Sequence, residues 1–186
     1  MHDFIKDGDV VTALNYLKVK SSMDPMLYVE YSINTEGRLK SLFWVDDCSR
    51  SNYLCFGDVL AFDTTYKKNK CNYPLVIFSE CNHHSQTVIF CVALVSDETT
   101  ETYKWLLKSF LECMENKYPK VVVTDGDGAT RESIKQIFPD ATHWLCAWHL
   151  NKNEGENVKK SQFLDGFKRQ CTQILHLRIL KNSGGS

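Results

Sequence analysis

Two aspartates each stand at the end of a run of apolar residues, a pattern typical of buried strands that end in a carboxylate. Asp63 follows VLAF and Asp125 follows VVVT. In the predicted sheet these two strands lie side by side in the centre, so the carboxylates could hold two divalent cations, Mg²⁺ or Mn²⁺, about 3.5–4 Å apart for phosphoryl transfer. Mg²⁺ takes only one or two carboxylates from a protein, so two or three acids are enough. The alternative is that both acids are ordinary turn or cap residues, which are common at strand ends.

The turn TDGDG contains a rival to Asp125, because Asp127 lies two residues further along. Asp125 is nearer the end of the strand, and we therefore expect it to be the metal ligand. Asp127 is placed to cap the helix that follows, since aspartate is a favoured N-cap residue.

Cys146 and His149 form a CxxH pair at the end of the last apolar run, LCAWHL. A zinc site needs about four ligands, and one such pair supplies two of them. His83, His84 and His143 are candidates for the remaining ligands. The alternative is a buried cysteine with a capping histidine, which the spacing alone slightly favours over a zinc site.

A basic and aromatic segment directly follows Asp63. It contains Tyr66, Lys67, Lys68 and Lys70 within TTYKKNKCNYP. Lysines beside a metal site suit a nucleic-acid backbone, and an aromatic ring can stack on a base. A solvated hairpin turn explains the same composition at least as well.

The elements that must position these residues follow from the periodicity of apolar residues. Apolar residues at helical spacing predict a helix over 9–20, and alternation around Asn34 to Gly37 predicts a hairpin. Three strands are then predicted in succession, one ending on Asp63 and two over 73–80 and 87–95. A helix over 97–118 leads to a strand ending at Asp125, and a helix over 129–138 leads to a strand over 142–149. A polar helix is predicted over 150–170. This order predicts an α/β fold, a mixed sheet flanked by helices of the ribonuclease-H-like type.

The composition limits the classes of protein that the chain can belong to. Its 186 residues carry a net charge of -1, so the surface as a whole is not a basic nucleic-acid-binding surface. A local basic patch could still bind nucleic acid. Eight cysteines without a CxxC pair predict reduced thiols in an intracellular protein. No apolar run reaches the roughly 18 residues of a membrane span, which predicts a soluble chain without membrane contact.

The run from Leu42 to Lys160 resembles the transposase domain of Mutator-like elements. More closely, it resembles the plant far-red-impaired-response proteins, transcription regulators that descend from such transposases. The resemblance is carried by FWVDDCSRSNYLCFGDVLAFDTTYKKNKCNYPL, ETYKWLLKSFLECM, VVVTDGDGATRESIKQIFPDATHWLCAWHLNKN and GENVKK. It implies a domain organisation with an N-terminal helix and hairpin over 1–50, the transposase core over 51–160 and a helical or loose tail over 161–186.

The resemblance also implies roles for the candidate residues. Asp63 and Asp125 match the first two acids of a DDE triad, and Cys146 with His149 matches a C/D-x-x-H motif. The third acid belongs well downstream, and Glu154 and Glu156 do not match its position. The zinc-binding DNA-recognition module and the SWIM-type zinc finger of the family are also missing from the sequence, which predicts a truncated family member, incomplete at the C-terminus.

The function that the resemblance implies is DNA-linked regulation of light-responsive gene expression in the nucleus, with related family members as partners in homo- or hetero-oligomers. One alternative is a DDE transposase that cuts and joins DNA strands with bound metal. Another is a non-catalytic protein-interaction module. The incomplete acidic set favours the regulator over the enzyme.

Overall fold

A computed structural model of the chain describes residues 7–65, 73–81 and 86–146, and seven strands in this part form one mixed sheet. In chain order the elements are α1 (Asp7–Met23), β1 (Tyr28–Ile33), β2 (Leu39–Val45), α2 (Asp47–Phe56), β3 (Val59–Thr65), β4 (Leu75–Cys81), β5 (Thr87–Val95), α3 (Thr100–Cys113), β6 (Val121–Thr124), α4 (Gly128–Ile137) and β7 (Thr142–Leu145). The strands lie in the order β1-β2-β5-β4-β3-β6-β7.

The centre of the sheet combines antiparallel and parallel strands. β3, β4 and β5 form an antiparallel meander, while β6 and β7 run parallel to β3 on its other side. A parallel pair needs a crossover connection, and α3 and α4 supply the two crossovers. The predicted ribonuclease-H-like arrangement is confirmed, including the inner position of β6 between β3 and β7.

The N-terminal hairpin belongs to the same sheet, because β2 pairs with β5. Its turn is held by Asn34, whose side chain accepts hydrogen bonds from the backbone N–H groups of Glu36 and Arg38 at 3.0 and 2.9 Å. Gly37 supplies the left-handed backbone that this turn needs, with φ of 76°. The predicted helix over 9–20 and the predicted hairpin are both confirmed, whereas the domain boundary at residue 50 stays a prediction.

One face of the sheet carries the main core. Leu60 and Phe62 of β3 point to this face, where α2, α3 and α4 supply Tyr53, Phe110 and Ile134. Strand residues alternate between the two faces, so the intervening residues of β3 and β6 face the other way. Val59, Ala61 and Val123 form a smaller cluster there together with Cys146, which follows β7. Among the described residues, no helix is long and apolar enough to cross a membrane.

The start of α3 is fixed by Asp97, at the point where the apolar period changes from strand to helix. Its carboxylate accepts hydrogen bonds from the hydroxyl groups of Ser96, Thr99 and Thr102 at 2.8, 2.7 and 2.6 Å. Burial raises the pKa of Asp97, but the hydrogen bonds from Thr102, Thr99 and Ser96 outweigh it and lower the pKa to about 2. The carboxylate therefore stabilises the fold in its charged form.

Replacing Asp97 with alanine is expected to lower the free energy of unfolding by about 1 kcal/mol at neutral pH, since a partly exposed carboxylate contributes less than its full pKa shift. Because the pKa is lower in the folded state than its ordinary 3.8, the contribution is present above pH 4. It disappears as the pH falls from about 4 to about 2. Urea unfolding across this range should show parent and variant converging in acid. Glu112→Ala, at an exposed position in the last turn of the same helix, should leave the pH dependence of the parent intact.

Candidate functional site

Asp63 and Asp125 come from equivalent positions at the ends of the neighbouring strands β3 and β6. These strands are parallel neighbours in which Ala61 lies opposite Val123. Asp63 and Asp125 each stand two residues beyond this last pair of the ladder, Asp63 still within β3 and Asp125 directly after β6. Neighbouring strands lie about 4.8 Å apart, so the two acids come from adjacent strand ends. Asp63 is half-buried and Asp125 is exposed, so solvent reaches the pair.

The turn after β6 holds Asp125 in a defined backbone position. Its Oδ1 accepts a hydrogen bond from the N–H of Asp127 at 3.1 Å, and Thr124 Oγ1 accepts one from the N–H of Gly126 at 3.1 Å. Gly126 has φ of 84°, and a Cβ at this position would lie 2.4 Å from Cδ2 of Leu145. The left-handed backbone conformation favours glycine at this position, and a larger residue would also displace the side chain of Leu145.

Asp127 has a different task from Asp125. Its Oδ2 accepts hydrogen bonds from the N–H groups of Ala129 at 2.9 Å and Thr130 at 3.2 Å, which makes it the N-cap of α4. The predicted capping role is confirmed. Asp125 is therefore the acid of the turn that does not cap the helix.

Cys146 follows β7, the strand next to β6, and lies opposite Asp125 in the sheet. Its N–H donates to the carbonyl of Thr124 at 2.7 Å, which extends the register that pairs Val123 with Trp144. The residue opposite Asp125 is then Cys146, and its side chain is only 4% exposed. The second residue of the predicted motif, His149, lies outside the described residues.

His143 belongs to the turn rather than to a cysteine site. Its Nε2 lies 2.8 Å from Oγ1 of Thr124, and alternation along β7 puts it on the opposite face from Cys146. Burial and the nearby Arg131 lower the pKa of His143, against the opposing effect of Asp125. Within residues 7–65, 73–81 and 86–146, no three His, Cys, Asp or Glu side chains converge as a ready cation site. Zinc at the CxxH pair therefore stays a prediction.

The predicted nucleic-acid segment begins immediately beyond β3. Tyr66, Lys67, Lys68 and Lys70 lie outside the described residues, as do His83, His84, Glu154 and Glu156. The structure does show where the segment begins, because β3 ends at Thr65, two residues after Asp63. The chain thus leaves the sheet directly beside the acid pair.

Two features of the site were not predicted from the sequence. One is the Thr124–His143 contact that ties the turn after β6 to β7. The other is a cavity lined in part by Arg131 and Lys135 of α4. A sequence signal existed for the second, because residues four apart on a helix share one face. The Thr124–His143 contact depends on how β6 pairs with β7, and the local sequence gives no signal for that pairing.

An antiparallel meander, two added parallel strands and an acid pair at the central strand ends define a ribonuclease-H-like domain. The MULE transposase domain family matches residues 59–153, from the first residue of β3 to beyond β7. The chain therefore belongs to the MULE transposase domain family, and the predicted resemblance is confirmed.

The curated relatives are plant proteins. The chain is 38% identical over 146 residues to Protein FAR-RED IMPAIRED RESPONSE 1 of Arabidopsis thaliana, covering 78% of this chain and 18% of the relative. It is 33% identical over 165 residues to Protein FAR1-RELATED SEQUENCE 7 of the same plant, covering 88% of this chain and 21% of the relative. It is also 34% identical over 170 residues to Protein FAR1-RELATED SEQUENCE 4 of Arabidopsis thaliana, covering 91% of this chain and 23% of the relative. The chain thus spans about a fifth of the length of these relatives.

A solved structure, the catalytic core domain of BIV integrase, aligns with 69% of this chain and 73% of its own at 12% identity and a TM-score of 0.34. The fold assignment rests instead on the strand order and pairing of the sheet itself.

Proposed function

We propose that the chain is the transposase-derived core of a regulator that acts on DNA in the nucleus during light-responsive gene expression. One observation supports the proposal: Asp63 and Asp125 follow the paired strands β3 and β6 at equivalent positions in a MULE transposase domain. The link to light is supported by the relative named for an impaired far-red response. Nuclear action follows from the same proposal, since its target is genomic DNA.

The donor chemistry of the acid pair fits a hard divalent cation. Asp63 and Asp125 offer carboxylate oxygens, the ligands that Mg²⁺ and Mn²⁺ prefer. A cation held there would supply positive charge to attract a DNA phosphate. The protein's own part is to fix both carboxylates, through the strand register for Asp63 and through the glycine turn for Asp125.

The remaining parts of the proposal concern zinc and partners. Cys146 would contribute a thiolate to zinc together with His149, and its burial beside the acid row suits a structural ligand. Related family members are proposed as partners in homo- or hetero-oligomers. Neither role alters the task of the acid pair.

Duplex DNA is expected to bind the full chain with strong salt dependence, because lysines that neutralise phosphates release counterions. Changing the three lysines after β3 to alanine should weaken binding at low salt. It should also make the slope of log affinity against log salt shallower by about 0.9 for each phosphate that is no longer neutralised. Fluorescence anisotropy with a labelled duplex measures both. The changed residues are Lys67, Lys68 and Lys70, and the control changes three lysines elsewhere, Lys20, Lys108 and Lys120.

The same samples distinguish the regulator from its alternatives. Binding without strand cleavage in Mn²⁺ supports the regulator. Nicking that vanishes in Asp63→Asn and persists in Asp127→Asn would instead establish a working transposase, which the paired acids make the second candidate. Absence of DNA binding at low salt would contradict the proposal and favour a protein-interaction module.

A further inference from the structure

A cavity of about 380 Å³ lies between α4 and β7, on the helix-covered side of the sheet. Its accessible apolar lining is formed by Pro139, Ala141 and Leu145, which are exposed or half-buried, and the buried side chains of Ile134 and Phe138 lie beneath them. Tyr118 packs edge-on against Phe138 with ring centroids 6.1 Å apart, which helps to hold the Phe138 ring in place. The cavity is large enough for one bulky side chain and part of a backbone, since ligand pockets usually measure about 300–1,000 Å³.

Positive charge borders this apolar floor. Arg131 and Lys135 both line the cavity and are exposed, and their spacing of four places them on one face of α4. The acid of the same helix, Glu132, accepts a hydrogen bond from Gln136 one turn further on. Because Glu132 and Gln136 do not line the cavity, the two cations are presented there without an acid of α4.

The opposite wall is formed by β7. His143 and Leu145 line it, and Leu145 is 37% exposed. The Nε2 of His143 is already engaged at 2.8 Å by Thr124. The wall is therefore held in place by the turn network after β6, and it offers a mostly apolar surface opposite the cations.

We propose that this cavity binds a protein partner through a short acidic segment that inserts one large apolar side chain. The apolar floor takes the inserted side chain, and Arg131 with Lys135 pairs with carboxylates on either side of it. A nucleic-acid backbone would match the cations but has no apolar group for the floor, so the peptide is the better match. Segments that mix acidic and apolar residues are typical of disordered activation regions.

The proposal is tested with a fluorescein-labelled peptide, Asp-Leu-Asp-Asp-Phe-Asp-Leu-Asp, titrated with the full chain and followed by anisotropy. Arg131→Glu with Lys135→Glu should weaken binding at least tenfold, because two attractions become repulsions. Ala141→Phe, which fills the cavity without changing charge, should weaken it as well. The matched control, Arg38→Glu with Lys108→Glu, makes the same charge change on exposed residues elsewhere and should retain the parent affinity.

Two further probes separate apolar insertion from simple charge attraction. The peptide with serine in place of leucine and phenylalanine should bind at least tenfold more weakly. Equal binding of the serine peptide, absence of binding by the parent peptide, or full affinity in both cavity variants would each overturn the proposal. Direct binding of a labelled DNA duplex that is lost in Arg131→Glu with Lys135→Glu but kept in Ala141→Phe, while the peptide does not bind the parent, would assign the cations to nucleic acid instead. None of these results depends on whether the lysines after β3 bind DNA.

Discussion

Replacing Phe110 with alanine is expected to lower the free energy of unfolding by about 3–5 kcal/mol, the usual cost of removing a buried phenylalanine. Phe110 is 0% exposed and packs α3 against the sheet. Its ring stacks on Phe78 of β4 with centroids 4.9 Å apart, and Phe78 stacks in turn on Phe62 of β3 with centroids 5.1 Å apart. Tyr53 of α2 meets Phe110 edge-on at 4.9 Å.

Chemical denaturation measures this effect, and two variants calibrate it. Phe110→Leu keeps most of the side-chain volume without the aromatic ring, so the destabilisation should fall to about 1–2 kcal/mol. Tyr16→Ala removes an aromatic ring that is 64% exposed on α1, and its effect should stay within about 0.5 kcal/mol. A Phe110→Ala destabilisation no greater than that of Tyr16→Ala would show that the stacked rings do not hold α3 to the sheet.

The order of helices and strands could be predicted because each central element carries its own period. β5 is a continuous apolar run, and from Asp97 onward the spacing of apolar residues changes to that of a helix, which is where α3 begins. A continuous apolar run indicates a strand that is buried on both faces, and helical spacing indicates a helix that is buried on one face. These signals were sufficient to place β3 and β6 as neighbours, and hence to relate Asp63 to Asp125.

The helix α2 shows where the local signal is too weak. Its sequence, DCSRSNYLCF, has one buried residue, Tyr53, and no apolar stripe. The spacing of apolar residues therefore gives no signal for a full helix here. The full helix depends on a cap, since Asp46 accepts a hydrogen bond from the N–H of Ser49 at 2.7 Å. It depends also on the packing of Tyr53 against Phe90 and Phe110, which only the folded chain brings together.

In the candidate site, too, one feature could be predicted from the local sequence and another could not. The cap at Asp127 could be predicted because capping involves only the next three residues. The Thr124–His143 contact joins residues 19 apart in the chain, and it depends on the exact pairing of β6 with β7. A run such as VVVT gives no sequence signal for that pairing, because valines at successive positions look alike in every register.

Mn²⁺ is expected to raise the melting temperature of the full chain, and Asp63→Asn with Asp125→Asn is expected to abolish the rise. A cation that binds the native state stabilises it by about 2.7 kcal/mol at a hundred times its Kd. In a chain of this size that gain corresponds to about 5–10 °C. The physical reason is the register of β3 and β6, which holds two carboxylates together only in the folded state. Thermal unfolding with and without Mn²⁺ measures the rise, and Mg²⁺ should act in the same direction.

Asp127→Asn is the matched control for this experiment. It removes one negative charge from the same turn, as the Asp125→Asn half of the double variant does. Asparagine caps a helix about as well as aspartate, so α4 should start normally. Asp127 already accepts hydrogen bonds from two N–H groups of α4, and its variant should therefore keep the rise of the parent. If the rise were lost equally in Asp127→Asn, the turn as a whole would bind the cation by its charge. If the parent showed no rise, or the double variant kept it, the cation would not be held by Asp63 and Asp125, and the pair would be a mark of ancestry alone.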